Sequence, residues 1–221
     1  MSTCSPDPER VRRRVNLSYG AGRPASRSED YRERGFDGDL RPDSRSRIRL
    51  VVLAAREAPL VAARVATTRL IVLVAAMIPS PGETGAQWWS NTGWETARRS
   101  QAERDGRATD GELDPVEEFL HDVDQEIIDE TRNHVADQSD APFQTPWPLE
   151  AWPSIPTRFV LPTRDRFFPA DFQRGIVRER LGVTPDEIAC GHLPALARPV
   201  ELASLLLDYE RTPGATGSSR S

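Results

Sequence analysis

Two side chains with complementary proton chemistry stand 27 residues apart near the C-terminus: Asp165 in "LPTRDRFFP" and His192 in "CGHLPALARP". A carboxylate that accepts a hydrogen bond from one imidazole nitrogen fixes the tautomer and stabilises the imidazolium. The other nitrogen can then take a proton from a hydroxyl, a thiol or a water. The same residues have a plainer use. Asp165 can pair with Arg164 or Arg166, or accept bonds from the turn that follows it, and His192 can cap or fill a loop. Spacing alone leaves both readings open.

A base of this kind needs a nucleophile, and the candidates are poor. Ser80 sits in the rigid loop "IPSPG" and Ser139 in "DQSDAP". Ser46, Thr67 and Thr68 lie near strand-like runs but lack a sharp turn. Cys190, two residues from His192, reads as a small buried hydrophobe rather than a reactive thiol. His121 in "FLHDV" and His134 in "RNHVADQ" lie 13 residues apart, which is not a zinc spacing, so no metal is expected. There is no phosphate-binding loop and no dinucleotide glycine fingerprint, so no cofactor is expected either. Trp88, Trp89 and His121 are candidates to line an apolar pocket, with Trp94 beside them. Their plainer uses are anchoring and surface exposure. Glu117, Glu118, Asp122 and Asp124 read as a solvated helix face.

The elements that must position these residues begin where the composition changes. Residues 1–50 hold 12 Arg against 8 acids, whereas residues 51–221 hold 17 Arg against 26. Residues 1–46 carry no apolar periodicity and read as a disordered Arg-rich tail. The remaining 47–221 read as one domain. "RIRLVVL" suits a strand, and "EAPLVAARV" a short helix with Pro near its start. "TRLIVLVAA" is a continuous apolar run of the kind found in strands covered on both faces. Residues 83–150 form an acidic helical insertion, in which "PVEEFLHDVDQEIIDETRNHVADQ" carries a single apolar stripe. "TRFVLPT" is a strand, "FPADFQRGIVRERLG" a helix ended by Gly182, "TPDEIACG" a short strand and "PVELASLLLDYER" a final helix. This alternation argues for α/β architecture with a parallel sheet.

Composition bounds the partners. The formal net charge is −5 and all 29 basic residues are Arg. Two cysteines make no disulfide framework. The longest apolar run is too short to cross a bilayer, and no apolar segment follows "RVRRR" to make a secretory signal. No nucleic-acid or membrane partner is expected, and the default location is the cytoplasm.

Several segments taken together, in order, carry a resemblance: "LIVLVAAMIPSPGET" with "WW", "FLHDV", "PWPLEAWPSIPTRFVLPTRDRFFP", "RERLGVTPDEI" and "GHLPALARP". Over residues 57–210 they resemble the C-terminal half of α/β-hydrolase-fold proteins, of the esterase-like and hydroxynitrile-lyase-like bacterial kind. The resemblance implies a parallel-sheet fold, incomplete at the N-terminal side, with the insertion as a helical lid. It implies a Ser–Asp–His order with Asp165 as acid and His192 as base, and a small apolar ester or amide as substrate. The G-x-S-x-G turn of such proteins is absent. Aligning "APLVAAR" without a gap puts Val52 at the serine position and Ala54 and Ala55 at the glycines. Two functions follow: an esterase-like hydrolase that uses another nucleophile or water, or a non-catalytic remnant that binds at most a small ligand. A half-sheet would also leave an edge unpaired near residues 70–76, inviting self-association.

Overall fold

The structure, a computed structural model, describes residues 50–52, 58–109, 113–132 and 141–211. Among them the sheet has four parallel strands in chain order: β1 (Leu50–Val52), β2 (Leu70–Val74), β3 (Thr157–Pro162) and β4 (Asp186–Ile188). The register sets Val52 beside Val72, Val74 beside Val160 and Pro162 beside Ile188. All C-terminal strand ends therefore point to one rim. The expectation of an unpaired edge near residues 70–76 is corrected. β2 lies between β1 and β3, paired on both sides, and its first four residues are buried because both faces are packed.

Alternation of side chains along each strand divides the core. Ile71, Leu73, Phe159 and Leu161 face Ala58 and Ala62 of helix α1 (Ala58–Arg64), together with Ile176 and Val177. Leu70, Val72, Val160 and Ile188 face the opposite way, against Leu202 and Tyr209. The helices that supply these partners are α7 (Ala170–Leu181) and α9 (Pro199–Arg211). A parallel sheet covered on both faces needs continuous apolar strands, and the LIVLV run supplies one. Gly182 closes α7 at φ 66°, a left-handed conformation that a side chain would strain.

Among the described residues, five helices lie between β2 and β3: α2 (Gly85–Thr92), α3 (Trp94–Arg104), α4 (Pro115–Phe119), α5 (Gln125–Arg132) and α6 (Ala141–Gln144). A reciprocal capping box between Thr84 and Gln87 starts α2. Gly93, at φ 69°, ends α2 and turns the chain into α3. The single striped helix expected from residue 115 onward is two. Leu120 leaves the helical region, Val123 N–H turns back to Leu120 O at 3.0 Å, and α5 restarts two residues later. The apolar stripe survives the break, since Phe119, Leu120, Val123 and Ile128 still share one cluster with Trp88, Trp94, Phe167 and Phe168.

The insertion is tied at its base. Gly82 N–H donates to Trp147 O at 3.1 Å, and Trp147 N–H returns the bond to Glu83 O at 3.0 Å. Glu83 also pairs with Arg180 of α7, at 2.5 Å from Nη1 to Oε2 and 3.1 Å from Nη2 to Oε1. Burial pushes the Glu83 carboxyl upward, but Arg180, the Ser80 N–H and the Asn91 amide outweigh it and hold the carboxyl below its ordinary range. Among the described residues no helix is long and apolar enough to cross a membrane. A short helix, α8 (Pro194–Ala197), precedes α9.

Candidate active site

Pairing of β3 with β4 continues past both strands. Thr163 N–H donates to Ile188 O and Arg164 N–H to Cys190 O, each at 2.9 Å. The two loops therefore leave the rim side by side, and residues 27 apart in sequence become neighbours. His192 Nδ1 and Asp165 Oδ2 lie 2.8 Å apart. Asp165 is 0% exposed, and its Oδ1 accepts from the backbone N–H groups of Phe167 at 2.9 Å and Phe168 at 2.8 Å. Those bonds close the turn into α7 and leave Oδ2 aimed at the imidazole. A carboxylate there accepts a hydrogen bond from Nδ1–H, so the proton stays on Nδ1 and Nε2 carries the lone pair. The ring lies edge-on to Phe119, Phe168 and Phe167, with centroids 4.8, 5.4 and 5.5 Å away, and its side chain is 14% exposed. The imidazole is thus fixed on one side and walled by aromatic rings on the others.

The insertion reaches this pair at several points. Gln101 Nε2 donates to Asp165 O at 3.2 Å, and Trp94 Nε1 to Phe167 O at 2.6 Å. His121 Nε2 lies 3.1 Å from Arg164 O, so that nitrogen carries the proton. Burial, with Arg166 close by, lowers the pKa of His121 and favours its neutral form. Asp122 Oδ2 accepts the Gly191 N–H at 2.7 Å. The reading of Glu118 and Asp122 as a solvated face is corrected. Glu118 is buried against Arg98 and Arg107, and burial raises its carboxyl despite both guanidiniums. Asp122 faces the His192 loop because the helix breaks there.

The aromatic candidates separate. Trp88 is 1% exposed, its Nε1 donates to Ile78 O at 3.0 Å, and it anchors the insertion to the sheet. Trp89 is partly exposed and packs on Trp94, Phe167 and Phe168, in the ring cluster that walls His192.

Nucleophile candidates fall away from the pair or outside the description. Thr67 and Thr68 precede β2, at the rim opposite Asp165 and His192. Ser80 belongs to the tied base, where its N–H donates to Glu83. Burial pushes the Cys190 thiol up to about 12, leaving it protonated at neutral pH. Val52 is the last residue of β1, on the same rim as the pair. Ser46, Ala54, Ala55, His134, Ser139 and the tail at 1–46 lie outside the described residues. Sequence reasoning passed over Gln101, Asp122 and Gly191. The one available signal was "HDV" in the segment "FLHDV", whose Asp was read as solvent-facing.

Among solved structures, the chain superposes on a pyrethroid hydrolase from Sphingobium faniae JZ-2 with TM-score 0.51 and 18% identity, covering 74% of this chain and 71% of that one. A polyneuridine aldehyde esterase superposes with TM-score 0.53 and 16% identity over 77% of this chain and 73% of that one. A second pyrethroid hydrolase structure gives TM-score 0.52 at 20% identity, with coverages of 74% and 70%. At these identities the likeness is one of fold. None of the curated proteins matches the chain. The description "Alpha/beta hydrolase family" fits residues 17–205, starting within the Arg-rich segment. A match of that extent, joined to the parallel sheet and the acid–imidazole pair at its rim, makes this chain a member of the alpha/beta hydrolase family.

Proposed function

We propose that the chain is an esterase-like hydrolase of small apolar esters or amides, with His192 as general base and Asp165 as the residue that orients it. The observation that carries this reading is the 2.8 Å Nδ1–Oδ2 contact on a fully buried carboxylate. A buried charge is costly unless satisfied, and this one is satisfied by two backbone N–H groups and one imidazole. A surface ion pair with Arg164 or Arg166 would need no such enclosure. In the reaction, His192 Nε2 takes a proton from water as the water oxygen bonds to the carbonyl carbon. The imidazolium then returns that proton to the leaving oxygen or nitrogen as its bond to the carbon breaks. An acid and an alcohol or amine result. The aromatic rings around His192 suit an apolar acyl or alcohol group, with the insertion as lid. An ester hydrolase class is in keeping with the names of the solved neighbours. Water in place of a serine forgoes the covalent intermediate, so slow turnover is expected.

The test is turnover of p-nitrophenyl acetate and butyrate by the full chain. His192→Ala and Asp165→Asn should each fall by a factor on the order of 10² or more, the usual size of a general-base contribution. Equal rates for wild type and His192→Ala would refute the enzyme reading. A second reading, a non-catalytic binder of small apolar ligands, is favoured by Val52 at the end of β1, where the resemblance places the serine. It predicts those equal rates, together with a rise in melting temperature when an apolar ester analogue is added.

A further inference from the structure

The break between α4 and α5 puts residues 120–123 directly over the two rim loops. Asp122 and His121 each hold one of them. Asp122 Oδ2 accepts from Gly191, the residue before His192, at 2.7 Å. His121 Nε2 donates to Arg164, the residue before Asp165, at 3.1 Å. The grip leaves no slack. A Cβ on Gly191 would fall 2.5 Å from Asp122 Oδ1 and 2.8 Å from His121 Nε2. Both atoms belong to side chains already pinned by their own hydrogen bonds, so neither is a flexible end that can swing aside. Asp122 Oδ1 is itself buried without a hydrogen-bond partner. A buried, unpaired carboxylate oxygen is costly, and the arrangement persists because the other oxygen is committed to Gly191. Arg166 adds a third tie, with Nη1 3.3 Å from Glu117 O.

We propose that Asp122 is a positioning residue for His192: by holding the Gly191 amide it sets the imidazole against Asp165, so that the acid–base pair is complete only when the insertion is seated. Asp122 acts through Gly191. Its role deepens the hydrolase reading and rests on His192 being the base.

The experiment measures the ring ¹⁵N shifts of His192 in the full chain, which report the fraction held as the Nδ1–H tautomer, beside kcat and KM for p-nitrophenyl butyrate. Asp122→Ala and Gly191→Ala should each convert a predominantly Nδ1–H ring into a tautomer mixture. They should lower kcat about tenfold to a hundredfold with KM nearly unchanged, the scale expected for ångström-level misplacement. Asp122→Asn keeps an acceptor oxygen for Gly191 and should retain the wild-type tautomer and most of kcat. Should Asp122→Ala not fold, Gly191→Ala and Asp122→Asn still oppose one another. Wild-type tautomer fractions in both Asp122→Ala and Gly191→Ala overturn the proposal. Tautomer loss in those variants, with no turnover above the His192→Ala rate in wild type, upholds the positioning role and sinks the hydrolase reading instead.

Discussion

Asp165 makes three bonds through two oxygens, and the bonds are separable. Oδ1 closes the turn before α7 through Phe167 and Phe168, whereas Oδ2 serves the imidazole. Asp165→Ala strips acceptors from two buried N–H groups, each at a cost of about 1–3 kcal/mol. Asp165→Asn keeps an oxygen for them and should lose no more than about 1.5 kcal/mol, although it offers the ring the wrong partner. Urea denaturation of the two variants checks this: the alanine variant should be markedly less stable than the asparagine variant, while both lose activity. Residue types and strand-end positions left Asp165 and His192 open to two uses, and only the resemblance of several ordered segments to hydrolases singled out the pair. Asp122 was not legible, because its meaning depends on Gly191, 69 residues away, and on a helix break that no local residue announces.

The insertion meets the sheet through elements whose charges answer to pH. Glu83 binds Arg180 at the base, and its carboxyl is held below the ordinary 4.5. A carboxyl depressed in the folded state contributes stability that is full above its unfolded value. That contribution is lost as pH falls through the folded value. Melting temperature should therefore drop as pH falls below about 4.5, and Glu83→Gln should flatten that part of the curve. At neutral pH the same variant leaves Arg180 facing a neutral amide in a buried setting. A loss of about 3–5 kcal/mol is expected, read by thermal or urea unfolding. Helix α7 and its Gly182 end were readable from periodicity and a single glycine. The division of residues 115–132 was not, since the apolar stripe runs unbroken through Leu120 and Val123 while the backbone turns. Tertiary bonds from His121 and Asp122 to two rim loops outweigh the local preference to continue the helix.

Across the whole molecule, β2 and β3 are the strands flanked on both sides and packed on both faces among the described residues. Their amides should exchange with solvent only on global unfolding. Hydrogen exchange with fragment resolution should show residues 71–74 and 159–161 as the slowest segments. Faster exchange there than in α4 and α5 would contradict the packing described. The fold class was open to reading because strands covered on both faces demand apolar runs, and LIVLV and the FVLP half of the later strand are such runs. The seating of the insertion was harder to read, because it is carried by single bonds between distant residues rather than by any repeating pattern.

The mutual bonds joining Gly82 and Glu83 to Trp147 have an evolutionary reading. Everything between those residues departs and comes back through one narrow neck, so that stretch is a natural unit of recombination. A replacement segment from another lineage could enter at the neck and leave the strand order intact. It would need apolar packing against Phe167 and Phe168, an acceptor for the Gly191 amide and donors for the Arg164, Asp165 and Phe167 carbonyls. New ligand ranges can thus be acquired by exchanging one cassette instead of accumulating scattered changes.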